Sequence, residues 1–159
     1  MSFYRHVIFD LDDTILDTSG ALIPAAARRA VEAMIDAMTE AMTEAMTDAS
    51  KSSGENIAST DPQVWLEKRI KILHEDPRAD VWLLLARGDR EIAEIGRRAF
   101  FSYPVEQLPM EAMRLTEGAI EILSWSHERA TLHLVTSGIE ETQTKKIERL
   151  GIAKYFSSI

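Results

Sequence analysis

A chain of 159 residues has room for one ordinary domain, or for a small core carrying an insertion. Hydrophobic residues at 45% and charged residues at 28% describe a globular protein, and a net charge of −8 with a pI near 5.0 argues against a nucleic-acid-binding surface, which is normally basic. The lack of cysteine excludes disulfides, thiolate zinc sites and thiol nucleophiles. No apolar run approaches the roughly 18 residues of a membrane span, and residues 1–5 leave no room for a signal peptide, so a cytoplasmic protein is expected.

In chain order, residues 4–10 read as a fully buried strand, short, apolar and rich in β-branched and aromatic types. The strand ends abruptly in Asp10-Leu11-Asp12-Asp13-Thr14, and a turn-like exit follows through Asp17-Thr18-Ser19-Gly20. After Pro24 helix formers run from Ala25 to about Ala49, with methionine every four residues at Met34, Met38, Met42 and Met46. A period of four overshoots 3.6, so this stripe drifts about 40° per repeat and faces a packing partner over only part of the helix. A polar loop is expected over 50–60. Asp61-Pro62 then starts a helix with Leu66, Ile70 and Leu73 on its apolar face, and Pro77 ends that segment. Residues 81–86 read as a short apolar helix closed by Arg87-Gly88. Asp89 caps a further helix carrying Ile92, Ile95, Ala99 and Phe100, which Pro104 stops. Residues 20–105 thus hold no strand candidate and form one helical insertion.

The alternating pattern resumes after Pro109. Thr116 is placed to cap a helix with Ile120, Ile122 and Leu123; a second β-type run, Thr131 to Val135, ends in Thr136-Ser137-Gly138. A helix follows over about 140–150 with Gly151 as its C-cap, and Tyr155 to Ile159 read as the approach to a third strand.

Two strand ends therefore carry the chemistry. Asp10, Asp12 and Asp13 stand where the C-terminal edge of an open α/β sheet takes its ligands. Three carboxylates so close repel unless a cation or a shared proton offsets them, which points to a divalent metal. Opposite, Thr136, Ser137 and Gly138 lead into a helix N-terminus, whose free N–H groups attract anions. An Asp nucleophile facing an anion cradle, with a second Asp two residues on as proton carrier and a Mg²⁺-type cation between, suits phosphoryl transfer. A calcium loop fails, because an EF-hand starting at Asp10 needs Gly at its sixth position and Glu at its twelfth, where Ile15 and Ala21 stand. Asp13 fits a turn or cap. His6, His74, His127 and His133 show no ligand spacing. Glu140 and Glu141 suit the dipole of the last helix, or would serve as substitute metal ligands. Arg28, Arg29, Arg97, Arg98 and Tyr103 fit solvated helix faces, or would reach a substrate.

Phe9-Asp10-Leu11-Asp12-Asp13-Thr14 resembles the first motif of the haloacid dehalogenase superfamily, and Leu134-Val135-Thr136-Ser137-Gly138 resembles the second. The helical stretch between them is similar to the cap of the phosphoglycolate-phosphatase-like branch, and the chain resembles archaeal hydrolases of this superfamily. The resemblance implies an α/β fold: a Rossmann-like core with an incomplete parallel sheet (residues 1–19 and 110–159) and an inserted all-helical cap (residues 20–109). It implies a Mg²⁺-dependent phosphatase of small phosphorylated metabolites, not a dehalogenase, since dehalogenases of the superfamily lack an Asp matching Asp12. By the same resemblance Asp10 is nucleophile and Mg²⁺ ligand. Asp12 carries protons and gives its backbone carbonyl to the metal, and Thr136 holds the phosphate with the backbone of Ser137.

The superfamily's third motif, a Lys, and its fourth, an acidic cluster, would fall beyond Ile159. Lys145 and Lys146 precede the third strand and are expected to be exposed helix lysines. The chain is accordingly expected to be a fragment of impaired activity, or to complete its sheet with a second copy, through the open sheet edge or the Met-rich helix. The rival expectation is a non-catalytic binding or oligomerising module.

Overall fold

The computed structural model describes residues 5–47, 59–102 and 105–159; most of the expected loop at 50–60, and Tyr103, lie outside them. The chain forms two compact units, residues 1–25 with 104–159, and residues 26–103.

In the first unit β1 (His6–Phe9) and β2 (Thr131–Leu134) pair in parallel, with His6 opposite Thr131 and Phe9 opposite Leu134. Two helices connect onward: α5 (Ala119–His127) leads into β2 and α6 (Glu140–Leu150) leads out of it, ending at Gly151 with φ 65° as its left-handed cap. Tyr155 to Ile159 do approach the far side of β2. Ser157 N–H donates to Leu132 O at 2.8 Å and Leu134 N–H to Ser158 O at 3.0 Å, the start of a second parallel pairing. Leu11, Ile15, Leu16, Leu123, Leu132, Ile147 and Ile152 are all at most 2% exposed and form the interior here.

Two expectations need correction. β1 is half-buried, not fully buried: His6 and Ile8 face outward, Ile8 with 68% exposure, while Val7 and Phe9 face inward. Side chains alternate across a strand, and among the described residues nothing covers the outer face. Thr116 does not cap α5. Its hydroxyl donates to Thr14 O at 2.6 Å, and Gly118, at φ 78°, starts the helix instead.

The second unit is helical throughout its described residues. It contains most of α1 (Ile23–Thr47), then α2 (Pro62–Glu75), α3 (Val81–Leu85) and α4 (Arg90–Phe101). Asp61, Asp80 and Asp89 cap the last three by accepting backbone N–H groups of the first turn. Val31, Met34, Ile35, Trp65, Trp82, Leu85 and Ile92 form its core. The methionine stripe drifts as its period requires. Met34 is fully buried, Met38 packs partly against the core, Met42 is 38% exposed, and the Met46 side chain lies outside the described residues. On α2 the buried face runs through Trp65, Leu66, Ile72 and Leu73, a 3.6-residue stripe that leaves Ile70 63% exposed, against expectation. Arg69 occupies that stripe, with its guanidinium over the rings of Trp82 and Phe100 at 5.6 and 5.4 Å. Burial lowers its pKa from the ordinary arginine value.

Candidate active site

The parallel register fixes the site. Because Phe9 lies opposite Leu134, and Val135 N–H donates to Phe9 O at 2.9 Å, Asp10 and Thr136 leave the sheet side by side at its C-terminal edge. Past Asp10 the chain closes a tight loop in which the N–H groups of Thr14, Ile15 and Leu16 all turn back to Leu11 O. Asp13 takes the left-handed conformation there, φ 57°, which a short polar side chain tolerates. Its carboxylate accepts the N–H and the hydroxyl of Ser19, each at 2.7 Å, so Asp13 is a turn residue. The loop base is stapled by pairing of Leu16 with Leu115 and by the Asp17–Arg114 ion pair.

Asp10 is exposed, and its carboxylate makes no side-chain hydrogen bond among the described residues. Asp12 is held from three sides. Thr18 Oγ1 donates to Oδ1 at 2.6 Å, Lys146 Nζ to the same oxygen at 2.9 Å, and Gln143 Nε2 to Oδ2 at 3.1 Å. Burial pushes this carboxyl upward, but the donors Thr18, Lys146 and Gln143 and the charge of Lys146 outweigh it and leave its pKa below the ordinary value. Two carboxylates two residues apart are thus differentiated, one free in solvent and one fixed and ionised.

Lys146 is not the exposed helix lysine expected. It is 6% exposed, and only Lys145 lies toward solvent, paired with Glu141 at 2.7 Å. Neither Gln143 nor Lys146 stood out as a site residue in the sequence, although a signal was there. Gln143, Lys146, Ile147 and Leu150 follow the i, i+3, i+4, i+7 rule, so two polar residues occupy the inward stripe of α6. Buried polar side chains on such a stripe need partners, and Asp12 is the partner of Gln143 Nε2 and Lys146 Nζ.

On the β2 side, Thr136 Oγ1 is buried and has no hydrogen-bond partner, which marks a group awaiting one. Ser137 and Gly138 are exposed, and Ile139 at the N-cap of α6 gives no side-chain cap, so the first N–H groups of the helix stay open to an anion. Gly138 has φ 132°, and a Cβ there would stand 2.9 Å from Gln143 Nε2. The glycine is what lets Gln143 pass. A cavity of about 570 Å³ adjoins this loop, lined in part by Thr136, Gly138, Gln143 and Ile147.

For a divalent cation the donor set is short but of the right kind. Asp10 offers a hard, exposed carboxylate and Asp12 a backbone carbonyl. The Asp12 carboxylate is engaged with Lys146 and is not a free ligand. Among the described residues no cluster of three His, Asp or Glu side chains surrounds the position. Mg²⁺ commonly keeps several waters and binds through one or two carboxylates plus substrate phosphate, so the residues present fit it. The cross-strand pair of His6 Nδ1 and His133 Nε2, 3.0 Å apart, is a contact no spacing rule foretold; it lies on the outer sheet face with His133 Nδ1 beside Ser158 Oγ. In the helical unit Arg97 is tied to Asp80 and Glu94, and Arg98 to Glu94.

A model of the haloacid dehalogenase-like hydrolase family matches residues 7–159. The fold is similar to that of a hydrolase of this superfamily, YfnB from Bacillus subtilis, solved bound to magnesium (TM-score 0.50, 18% identity, 99% of this chain, 63% of that one). A protein from Clostridium difficile named as a phosphatase gives a TM-score of 0.56 at 14% identity, over 100% of this chain and 61% of that one. A subfamily IA, variant 1 hydrolase of the superfamily from Geobacter sulfurreducens gives 0.54 at 17% identity, over 97% and 60%. The chain thus spans 60% to 63% of the length of these structures. Among curated proteins none matches the sequence.

Proposed function

The chain belongs to the haloacid dehalogenase-like hydrolase family, and from that premise we propose that it serves a Mg²⁺-dependent phosphatase acting on small phosphorylated metabolites. The observation that carries the reading is the buried, unpartnered Thr136 hydroxyl beside the uncapped start of α6, at the same sheet edge as Asp10. A phosphate oxygen is the acceptor that this hydroxyl and these N–H groups lack.

In the proposed reaction the Asp10 carboxylate, unencumbered by neighbours, attacks phosphorus, and the bond to the leaving oxygen breaks to give an aspartyl-phosphate. Thr136 and the backbone at Ser137 and Gly138 hold the phosphoryl oxygens through this step. Asp12, ionised in the resting site, would take up a proton from solvent, give it to the leaving oxygen, and then take one from the water that attacks phosphorus and frees Asp10. Asp10 and the Asp12 carbonyl would hold Mg²⁺, which supplies charge neutralisation of the phosphate when bound. An Asp at position 12 favours phosphate-ester hydrolysis over dehalogenation. Hydrolysis of p-nitrophenyl phosphate with Mg²⁺, by this chain and by Asp10→Asn, tests the reading. Turnover by the former well above the latter is expected; equal rates at background would remove the assignment.

A second reading concerns partners. Among the described residues β1 pairs only with β2, and Ile8 on its outer face is open to solvent. Unpaired strand edges recruit other strands, so we propose that a second copy pairs at β1. The Met-rich helix is a weaker candidate, because Met34 and Met38 are already engaged in a core. Light scattering on the eluting protein should give twice the chain mass; a monomer would sink this reading.

A further inference from the structure

Gln143 and Lys146 stand one turn apart on α6, 7% and 6% exposed, and both turn their polar ends to Asp12. Their contacts go beyond neutralising a carboxylate. Gln143 Nε2 donates to Asp12 Oδ2 and also to Ser137 O at 2.5 Å, so one amide group joins the loop after β1 to the loop after β2. Two acceptors on the same atom fix which end of the amide is nitrogen. Gly138 is the residue whose missing side chain lets that amide through. Lys146 and Thr18 share Asp12 Oδ1, so both carboxylate oxygens are engaged and the side chain has one place to stand.

We propose that Gln143 and Lys146 are positioning residues. Together they hold the Asp12 carboxylate in a single orientation, and Gln143 sets its distance from the phosphate-holding loop at Thr136 to Gly138. The geometry points to a brace between the two halves of the site, built from the buried face of α6. The catalytic consequence rests on the phosphatase reading above; the brace itself does not. Both act through Asp12, and Gln143 also through the Ser137 loop, so their loss should slow the chemical step more than it weakens binding.

The test uses the full chain. With p-nitrophenyl phosphate and Mg²⁺, Gln143→Leu and Lys146→Met are each expected to lower kcat roughly 10- to 100-fold, the range for displaced catalytic groups, while KM stays within about threefold. Lys146→Arg should recover much of the lost kcat, which a merely space-filling role would not produce. Variants with kcat within about twofold of wild type, or with raised KM at unchanged kcat, would overturn the proposal. A second measurement needs no turnover. The side-chain NH₂ signals of Gln143 in a ¹⁵N spectrum, identified by their loss in Gln143→Leu, should shift in Asp12→Asn and in Lys146→Met. Signals unmoved by both changes would overturn the brace even if the variants lose activity through poor folding. Should the wild-type chain be no faster than Asp10→Asn, the phosphatase reading falls alone, and the amide signals decide the brace.

Discussion

The Asp12–Lys146 pair is asymmetric, and the asymmetry can be measured. The Lys146 side chain is 8% exposed and that of Asp12 is 32% exposed. Removing Asp12 as Asp12→Ala leaves an ammonium in a dry site with no counter-charge, and breaking a buried pair from that side costs roughly 3–5 kcal/mol. Removing the lysine as Lys146→Met leaves a carboxylate that still accepts from Thr18 and Gln143 and still touches water. Partial hydration and the two remaining donors reduce that loss to about 1–2 kcal/mol. Replacing both at once removes the stranded charge, so the double variant should sit near Lys146→Met and far from the sum of the singles. For a chain of this size 1 kcal/mol moves Tm by roughly 2–4 °C, which places Asp12→Ala about 6 °C or more below wild type and Lys146→Met only a few degrees below. Urea and thermal unfolding followed by circular dichroism would show the order. If Lys146→Met proves as damaging as Asp12→Ala, or the two losses add, the reading of Lys146 as the more deeply buried partner is wrong.

Gly138→Ala combines a strained φ with a Cβ 2.9 Å from Gln143, and should destabilise by about 1–3 kcal/mol in urea titrations. Gly118→Ala has positive φ but nothing within 4 Å, so it should lose only about 1 kcal/mol, and equal losses at the two sites would remove the special role of position 138. In the helical unit Gly96→Ala gains about 1 kcal/mol of helix propensity but drives a methyl against Met34 Sδ and to 2.8 Å from its Cγ; overpacking costs roughly 1–3 kcal/mol, so a lower urea midpoint is expected, partly restored by trimming Met34 to Val. Acid should destabilise the protein. Asp12, and also Asp17 beside Arg114 and Glu94 beside Arg97 and Arg98, titrate below their ordinary values when folded. A depressed folded pKa gives stability that is present above the unfolded value near 4 and is lost as pH falls through the folded one. Unfolding midpoints should therefore be flat from about pH 7 to 5 and fall below about pH 4; a fall that begins nearer pH 6 would implicate histidines instead.

Much of the fold could be read from the sequence because its signals are local. Asp61 and Asp89 are caps next to the helices they start, and Gly151 ends α6 one residue beyond it. Asp10 and Thr136 could be placed for the same reason: each directly follows an apolar run, and parallel strands bring such ends together without further information. What escaped were the lateral contacts. The His6–His133 approach depends on strand register, and the Gln143–Asp12 and Lys146–Asp12 contacts span 131 and 134 residues of sequence. For Lys146 the helical count was decisive, since one residue's difference separates the buried Lys146 from Lys145 at its side.

β1 shows where composition and structure part. Val7, Ile8 and Phe9 have the make-up of a strand covered on both faces, the signature of sheets flanked by helices on either side. Here Val7 and Phe9 are half-buried and Ile8 is exposed. The apolar run therefore encodes more packing than β2, α5 and α6 supply, and this surplus argues for a further layer over the Ile8 face, whereas the unpaired β1 edge is the physical reason for proposing a further strand. The same reasoning separates edge from site. Asp10, Asp12, Thr136 and the α6 brace depend on the β1–β2 pairing and on α6, all present together in one unit. Covering Ile8 should then change the stability of that unit without rearranging the carboxylates at its C-terminal edge.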